Sequence, residues 1–227
     1  MGCRNVLRIS RLPNAWLHVV SILHQQNGML NRIGVLRGIF LFAAIAGLSA
    51  AQTGPSATQP ITAGGRFEWA ITSTISLPSF GGGVVSSGFG IATGKPSEYG
   101  VNLRGFGKRF GLRLTGVATS NTMEAGLGGL WGEDPRYQRA MGQPFGSRIG
   151  HVLKMTFMAP NRDGGIKPAY ARYAAIGGSN VISNAWRPDS DATVDHTVLR
   201  VGLGFLGRMT SNTFFEFWPD VKDRFFH

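Results

Sequence analysis

Apolar side chains recur every three or four positions through much of the chain after residue 100. This spacing places them on one face of a helix, so it predicts an amphipathic helix over residues 100–130. Pro135 ends this helix, because proline disfavours helical geometry in the residue before it. Further helices are predicted over residues 147–158, 169–186 and 196–218, with Ser147 capping the first of these and Asp195 the last. The positions that carry the first pattern are Leu103, Phe106, Phe110, Leu114, Val117 and Ala118.

Residues 66–77 show a different pattern. Phe67, Trp69 and Ile71 stand on odd positions, and polar residues fill most of the even positions. Such a period of two predicts a half-buried strand. Residues 84–99 are small, polar and rich in glycine, which predicts mainly a loop.

Strand-like alternation also competes with the predicted helices. Apolar and polar residues alternate over residues 109–115, and residues 199–209 do much the same. Alternating segments of about ten residues are typical of outer-membrane barrel strands. Pro219 and the long runs without hairpin turn pairs argue against strands. We therefore expect a mainly α fold, with glycine-rich amphipathic helices packed as one bundle-like domain. A small outer-membrane β-barrel is the alternative.

The N-terminal quarter of the chain has the pattern of an export signal. Arg32 and Arg37 precede an uncharged run over residues 38–48, and Ser49-Ala50-Ala51 supplies the small residues that a signal peptidase recognises. A membrane anchor is the alternative, but a membrane-spanning helix needs about 20 apolar residues. The predicted organisation is a mis-annotated or extended N-terminus over 1–28, a signal peptide over 29–51, a disordered spacer over 52–65 and a single helical domain over 66–227.

Removal of the signal peptide sets the composition of the exported chain. The only cysteine, Cys3, precedes the cleavage site, so neither a disulfide nor thiol chemistry is expected. The 18 basic and 12 acidic side chains after residue 51 leave a net charge of +6. A moderate positive charge favours an anionic partner. We therefore expect a protein of the bacterial periplasm or outer envelope that meets membrane lipid or another anionic surface, and no nucleic acid.

Glycine is unusually frequent, with 33 residues scattered through segments that otherwise look ordered. Gly107 and Gly111 are four positions apart, as are Ala174 and Gly178, and small residues at this spacing let helices approach closely. This predicts closely packed helices and self-association through small-residue helix faces. Gly202–Gly207 matches a dinucleotide-binding motif, but it lacks the preceding strand and turn that such a site requires, so no cofactor is predicted.

A basic and aromatic strip lies on the helix predicted over residues 100–130. Cationic side chains bordered by aromatic rings suit the headgroup region of a membrane. A solvated face with salt bridges is the structural alternative. The residues of this strip, which we predict to bind a membrane or another anionic surface, are Arg104, Phe106, Lys108, Arg109, Phe110 and Arg113.

The densest polar and aromatic segment is Trp131–Tyr137. Glu133 and Asp134, with His151 or His196, are weak candidates for acid–base catalysis in a secreted hydrolase. A structural clasp is the favoured interpretation of this segment, because no histidine lies near it in sequence. The histidines do not share metal-ligand spacing, so no metal site is predicted, and an enzyme is the less favoured class.

Four short segments resemble an uncharacterised exported protein family of environmental bacteria. They are Gly105–Phe110, Glu133–Tyr137, Ser183–Asp189 and Glu216–Asp220. The resemblance covers most of residues 66–226 and implies a helical fold, without an activity, cofactor or catalytic residue. The expected function is therefore that of an exported envelope protein, a membrane-associated structural or interaction protein.

Overall fold

A computed structural model describes residues 60–225. Within that range the fold is mainly α, as predicted, with packed helices and a two-stranded sheet. The signal peptide predicted over 29–51, the extension over 1–28 and most of the predicted spacer lie outside the described residues.

The first two helices replace the strand and loop predicted for this region. Helix α1 spans Ala63–Thr74 and α2 spans Leu77–Thr93. The Thr62 side chain accepts a hydrogen bond from Gly65 N at 3.1 Å, and Ser76 caps α2 in the same way. These caps satisfy amide groups that have no partner in the first helical turn. The prediction of a strand over residues 66–77 was wrong, as was that of a loop over residues 84–93.

Two long helices form the frame of the bundle. Helix α3 spans Leu103–Trp131 and is capped by the Asn102 side chain, which accepts from Gly105 N at 2.9 Å. Helix α6 spans Val194–Phe225 and continues through Pro219, where the sequence predicted a break. Both segments with strand-like alternation lie inside these helices, so the β-barrel alternative was wrong for the described residues.

Shorter elements connect the long helices. Helix α4 spans Phe145–Phe157, α5 spans Tyr170–Ile182, and 3-10 turns cover Ser97–Tyr99 and Ser183–Trp186. Strands β1 (Met158–Pro160) and β2 (Ile166–Pro168) pair antiparallel between α4 and α5, with Met158 opposite Pro168.

Both predicted caps were wrong. Pro144 occupies the N-cap position of α4, and Ser147 is the third residue of the helix. At α6 it is Thr193 whose hydroxyl accepts from the amide of His196, at 3.4 Å, while Asp195 lies in the first turn. The carboxylate of Asp195 is still favourably placed there, because the amino end of a helix carries partial positive charge.

Helix α3 lies at the centre of the packing. It contacts α1, α2 and α5, while α6 packs on α4, α5 and α2. Two of the glycines singled out in the sequence allow close approach: a Cβ at Gly178 would lie 2.7 Å from the Met123 side chain, and one at Gly204 would lie 2.7 Å from that of Ile176. Gly107 and Gly111 instead face open space.

Two glycines in the first turns of α3 have opposite surroundings, and their alanine variants should respond oppositely. A Cβ at Gly105 would collide with the carbonyl oxygens of Tyr99 and Gly100, whereas one at Gly107 would meet nothing within 4 Å. We expect Gly107→Ala to raise the free energy of unfolding by up to about 1 kcal/mol. Gly105→Ala should lower it by about 1–3 kcal/mol, because the backbone must shift. Thermal denaturation followed by circular dichroism measures both, and shifts of the same sign would contradict this packing.

Candidate functional site

Arg109, from the predicted surface strip, is buried at 8% exposure. Its guanidinium donates to the carbonyl oxygens of Gly100 at 2.6 Å and Pro96 at 2.8 Å. Its Cζ also lies 5.2 Å from the centre of the Tyr99 ring, within the range of a cation–π contact. Arg109 therefore fastens the loop before α3 onto that helix.

Arg113 is also used inside the bundle. It donates to the carbonyl oxygen of Ser79 at 2.8 Å, which ties α3 to the start of α2. Beside it, the Phe110 ring packs edge-on against Phe80 at 5.3 Å and stacks on Phe106 at 6.1 Å. The contact between Phe80 and Phe110 joins the same two helices.

Arg104 and Lys108 are the two strip cations that remain exposed. They are four positions apart on α3, which places both on the same face of the helix. Phe106 is half-buried and stacks on Phe110. The geometry thus leaves Arg104 and Lys108 available to an anionic surface and commits Arg109 and Arg113 to internal contacts.

Glu133 and Asp134 hold the loop that follows α3. Glu133 accepts from the amide of Ala171 at 3.0 Å and thereby caps α5, and its burial raises the pKa of its carboxyl group. Asp134 accepts from the amide of Arg136 at 2.9 Å and pairs with its guanidinium at 2.7 Å. Both carboxylates therefore have structural partners.

The two candidate histidines lie with other groups. His151 Nε2 is 2.7 Å from the Gln138 carbonyl oxygen, and His196 Nδ1 is 3.1 Å from Asp191 Oδ1. Asp191 is desolvated by burial, yet hydrogen bonds from Arg187 and His196 lower its pKa. The structure thus distributes the four acid–base candidates among separate hydrogen-bonded groups.

Sequence reasoning missed the most buried ionic group, which we term the central triad: Glu124, Arg172 and Arg208. Glu124 Oε1 accepts from Arg172 Nε at 2.9 Å, and Glu124 Oε2 pairs with Arg208. Arg172 and Glu124 are 3% and 4% exposed, so this ion pair is almost fully withdrawn from solvent. The triad joins α3, α5 and α6.

A sequence signal for the central triad does exist. Glu124 is the only charged residue in Leu114–Trp131, and Arg172 is the only one in Ala169–Trp186. Arg208 is likewise the only one in Val201–Phe215. A single charge in an otherwise uncharged helix is costly to bury unless it meets an opposite charge. The three residues were therefore candidates for mutual pairing.

A second ionic group, which we term the C-terminal clasp, surrounds the buried Glu216. It consists of Tyr137, Arg139, Arg148, Glu216 and Asp220. Glu216 is fully buried and accepts from Tyr137 Oη at 2.9 Å and from Arg148 Nε at 2.6 Å. Desolvation and the hydrogen bond to Glu216 both raise the pKa of Tyr137, so its hydroxyl stays protonated. Arg139 and Arg148 pair further with Asp220. The clasp joins the loop before α4 to the end of α6.

Many large apolar side chains lie on the exterior of the bundle, in contrast to the ionic groups in its interior. Phe67 and Phe89 are each 70% exposed, and Val85 is 72% exposed. More than half of the buried apolar residues, by contrast, are alanines. Further exposed apolar side chains occur on each of the helices α3 to α6. They include Leu103, Leu130, Phe145, Tyr170, Val198, Leu203 and Phe225.

One stretch, Ala63–Thr93, has the length and composition of a membrane span. It covers 31 residues with a mean hydropathy of 1.2 in its most apolar part, of which 22% is buried. The stretch consists of α1 and α2, with Ser76 capping the second helix between them. Among residues 60–225 there is no group of three His, Cys, Asp or Glu side chains arranged to hold a metal ion.

Comparison of the chain with protein-family models, with curated proteins and with solved structures finds no match.

Removing the carboxylate of the central triad should destabilise the bundle strongly. Glu124→Gln leaves two buried guanidinium groups facing an amide, and breaking a buried ion pair costs about 3–5 kcal/mol. We expect a large fall in the denaturation midpoint of the purified protein in mild detergent. Asp163→Asn, which removes the exposed pair with Lys167, is the matched control and should change the midpoint little. Equal effects would contradict a structural role for the triad.

Proposed function

We propose that this chain is a membrane-associated structural or interaction protein of a bacterial cell envelope. Its helical bundle would contact lipid through the apolar exterior and keep the ion pairs around Glu124 and Glu216 inside. The observation that carries this proposal is the inverted distribution of side chains. Phenylalanine and leucine lie outside, and paired arginine and glutamate lie inside.

The exterior is unfavourable in water and favourable in lipid. Fully burying a Phe, Leu or Val side chain contributes about 1.5–3 kcal/mol relative to leaving it in water. Phe67, Val85, Phe89 and Leu103 forgo most of that contribution, since each is at least 70% exposed. Contact with acyl chains would restore it. Monomeric soluble proteins rarely leave large contiguous apolar patches uncovered.

The interior follows the rules for helices in an apolar medium. Charged residues there face the bundle interior and pair with one another. The central triad and the C-terminal clasp both do so. Close helix approach at small residues, as at Gly178 and Gly204, is the usual means of packing without a hydrophobic driving force.

The remaining expectations extend this proposal. Export is supported by the signal-peptide pattern of residues 29–51. It is also supported by the resemblance of the four motif segments to an exported family. Gly107 and Gly111 face open space on α3 and would allow a second copy to approach there, so self-association is part of the proposal.

Introducing a charge on the apolar exterior should weaken membrane partition. We expect Phe67→Lys and Phe89→Lys each to reduce flotation of the full chain with lipid vesicles. The change costs roughly 3 kcal/mol in hydrocarbon, on the order of a hundredfold in partition. Gln143→Lys in the exposed loop before α4 is the control and should float like the wild type. A wild-type chain that does not float would reject the proposal.

Neutralising the two exposed strip cations tests anionic-surface contact. A basic residue near an anionic surface contributes about 1 kcal/mol, so Arg104→Gln with Lys108→Gln should weaken binding to phosphatidylglycerol vesicles roughly tenfold or more. The control, Lys154→Gln with Lys222→Gln, makes the same change in net charge elsewhere and should have a smaller effect. Equal losses would show that net charge, and not the position of the strip, governs binding.

A further inference from the structure

An apolar groove runs along the exterior between α1 and α3. Its volume is about 580 Å³, within the range of small-molecule sites in proteins. One wall is formed by α1 from Ala63 to Ile75 and includes Phe67 and Ile71. At 1.5 Å per helical residue, this wall is about 18 Å long, which is close to half the roughly 30 Å hydrocarbon core of a bilayer.

The opposite wall consists largely of small residues of α3. Ala118, Thr122, Gly126 and Gly129 line the groove, and these small side chains keep it open. A Cβ at Gly126 would meet nothing within 4 Å, so the space beside it belongs to the groove.

One end of the groove carries a positive charge. Arg66 lines it, and its Nη1 makes only a long contact, 3.5 Å, with the carbonyl oxygen of Ala125. Among residues 60–225, Arg66 is in no ion pair: the neighbouring Asp134 is paired with Arg136, and Glu133 caps α5. The Arg66 guanidinium at this end thus has a carbonyl contact but no ion pair within residues 60–225.

The residues around Arg66 are of the kinds that proteins place at a membrane–water interface. The polar loop after α3 and the turn between β1 and β2 meet there, since Glu133 and Asn161 form a β-bridge. Trp131, at the end of α3, is 47% exposed. Tryptophan is enriched at membrane–water interfaces, where its ring meets both environments. An apolar groove with a cationic end matches an amphiphile with an acyl chain and an anionic headgroup.

We propose that this groove holds one acyl chain of an anionic phospholipid, with the phosphate paired to Arg66. This inference rests on the membrane association proposed above. It adds a defined site to a general lipid contact: the chain lies against α1 and the small residues of α3, and the headgroup charge replaces the ion partner that Arg66 lacks.

The test is lipid retention by the full chain, measured by native mass spectrometry after exposure to dioleoyl-phosphatidylglycerol or dioleoyl-phosphatidylcholine in mild detergent. Wild type should retain one phosphatidylglycerol and several-fold less phosphatidylcholine. Gly126→Phe fills the groove and should reduce retention of both lipids at least fivefold. Arg66→Gln should lower phosphatidylglycerol retention to the level of phosphatidylcholine. Gly150→Phe, an equally open and exposed position on α4, should retain lipid like the wild type.

A second groove-filling variant, Thr122→Leu, keeps the test valid if Gly126→Phe does not fold. Circular dichroism verifies the helix content of each variant. Equal phosphatidylglycerol retention by the two groove-filling variants and Gly150→Phe would overturn the proposal. So would conversion of a dimer to a monomer by Gly126→Phe without loss of lipid, because the groove would then be a contact between copies. Vesicle flotation of the same proteins separates the hypotheses. If the wild type floats with vesicles but these variants do not change lipid retention, the proposed lipid site in the groove is rejected. The proposed membrane association is then still supported.

Discussion

The bundle depends on one buried carboxylate, that of Glu124, which binds two arginines from two other helices. One carboxylate does not neutralise two guanidinium groups, and the end of α4 supplies the rest. Arg172 Nη1 donates to the carbonyl oxygens of Met155 at 2.6 Å and Thr156 at 3.0 Å. Carbonyl groups in the last turn of a helix lack intrahelical partners and carry partial negative charge. A single ionic centre therefore fixes the relative positions of α3, α4, α5 and α6.

Helix α6 makes further polar contacts with its neighbours along its length. Arg200 bonds to Asn184, Arg208 to Glu124, Asn212 to Thr156 and Glu216 to Arg148, so the inward side of this helix is polar from one end to the other. These contacts reach three other elements: the 3-10 turn at Ser183–Trp186, α3 and α4. In an apolar solvent, hydrophobic burial does not set the register between helices, because lipid is as apolar as the side chains. Polar contacts at spaced positions can set it, since a slip by one turn would leave each group without its partner.

The helices after residue 100 could be predicted because their apolar residues follow a helical period. Earlier elements could not, for reasons visible in particular residues. Phe67 and Ile71 belong both to an alternating pattern and to a set four apart, and only packing decides between the two. In α2 the buried face consists of small residues such as Ser79, Gly83 and Ser87, whose period of four carries no hydrophobic signal. In the strip, sequence does not show which arginines turn inward; Arg109 and Arg113 do so because Gly90 and Gly82 leave room for them.

The stability of the apolar exterior and that of the ionic interior depend on the same quantity, the polarity of the surrounding medium. In water, an alternative packing that buried Phe67, Phe89 and Leu103 and released Glu124 and its arginines to solvent would gain on both counts, through hydrophobic burial and through hydration of the ions. In lipid both terms change sign: exposed apolar side chains are solvated by acyl chains, while an ion turned outward would face hydrocarbon. The surrounding medium therefore selects between the two arrangements. The paired interior of this chain is the arrangement that an apolar medium favours.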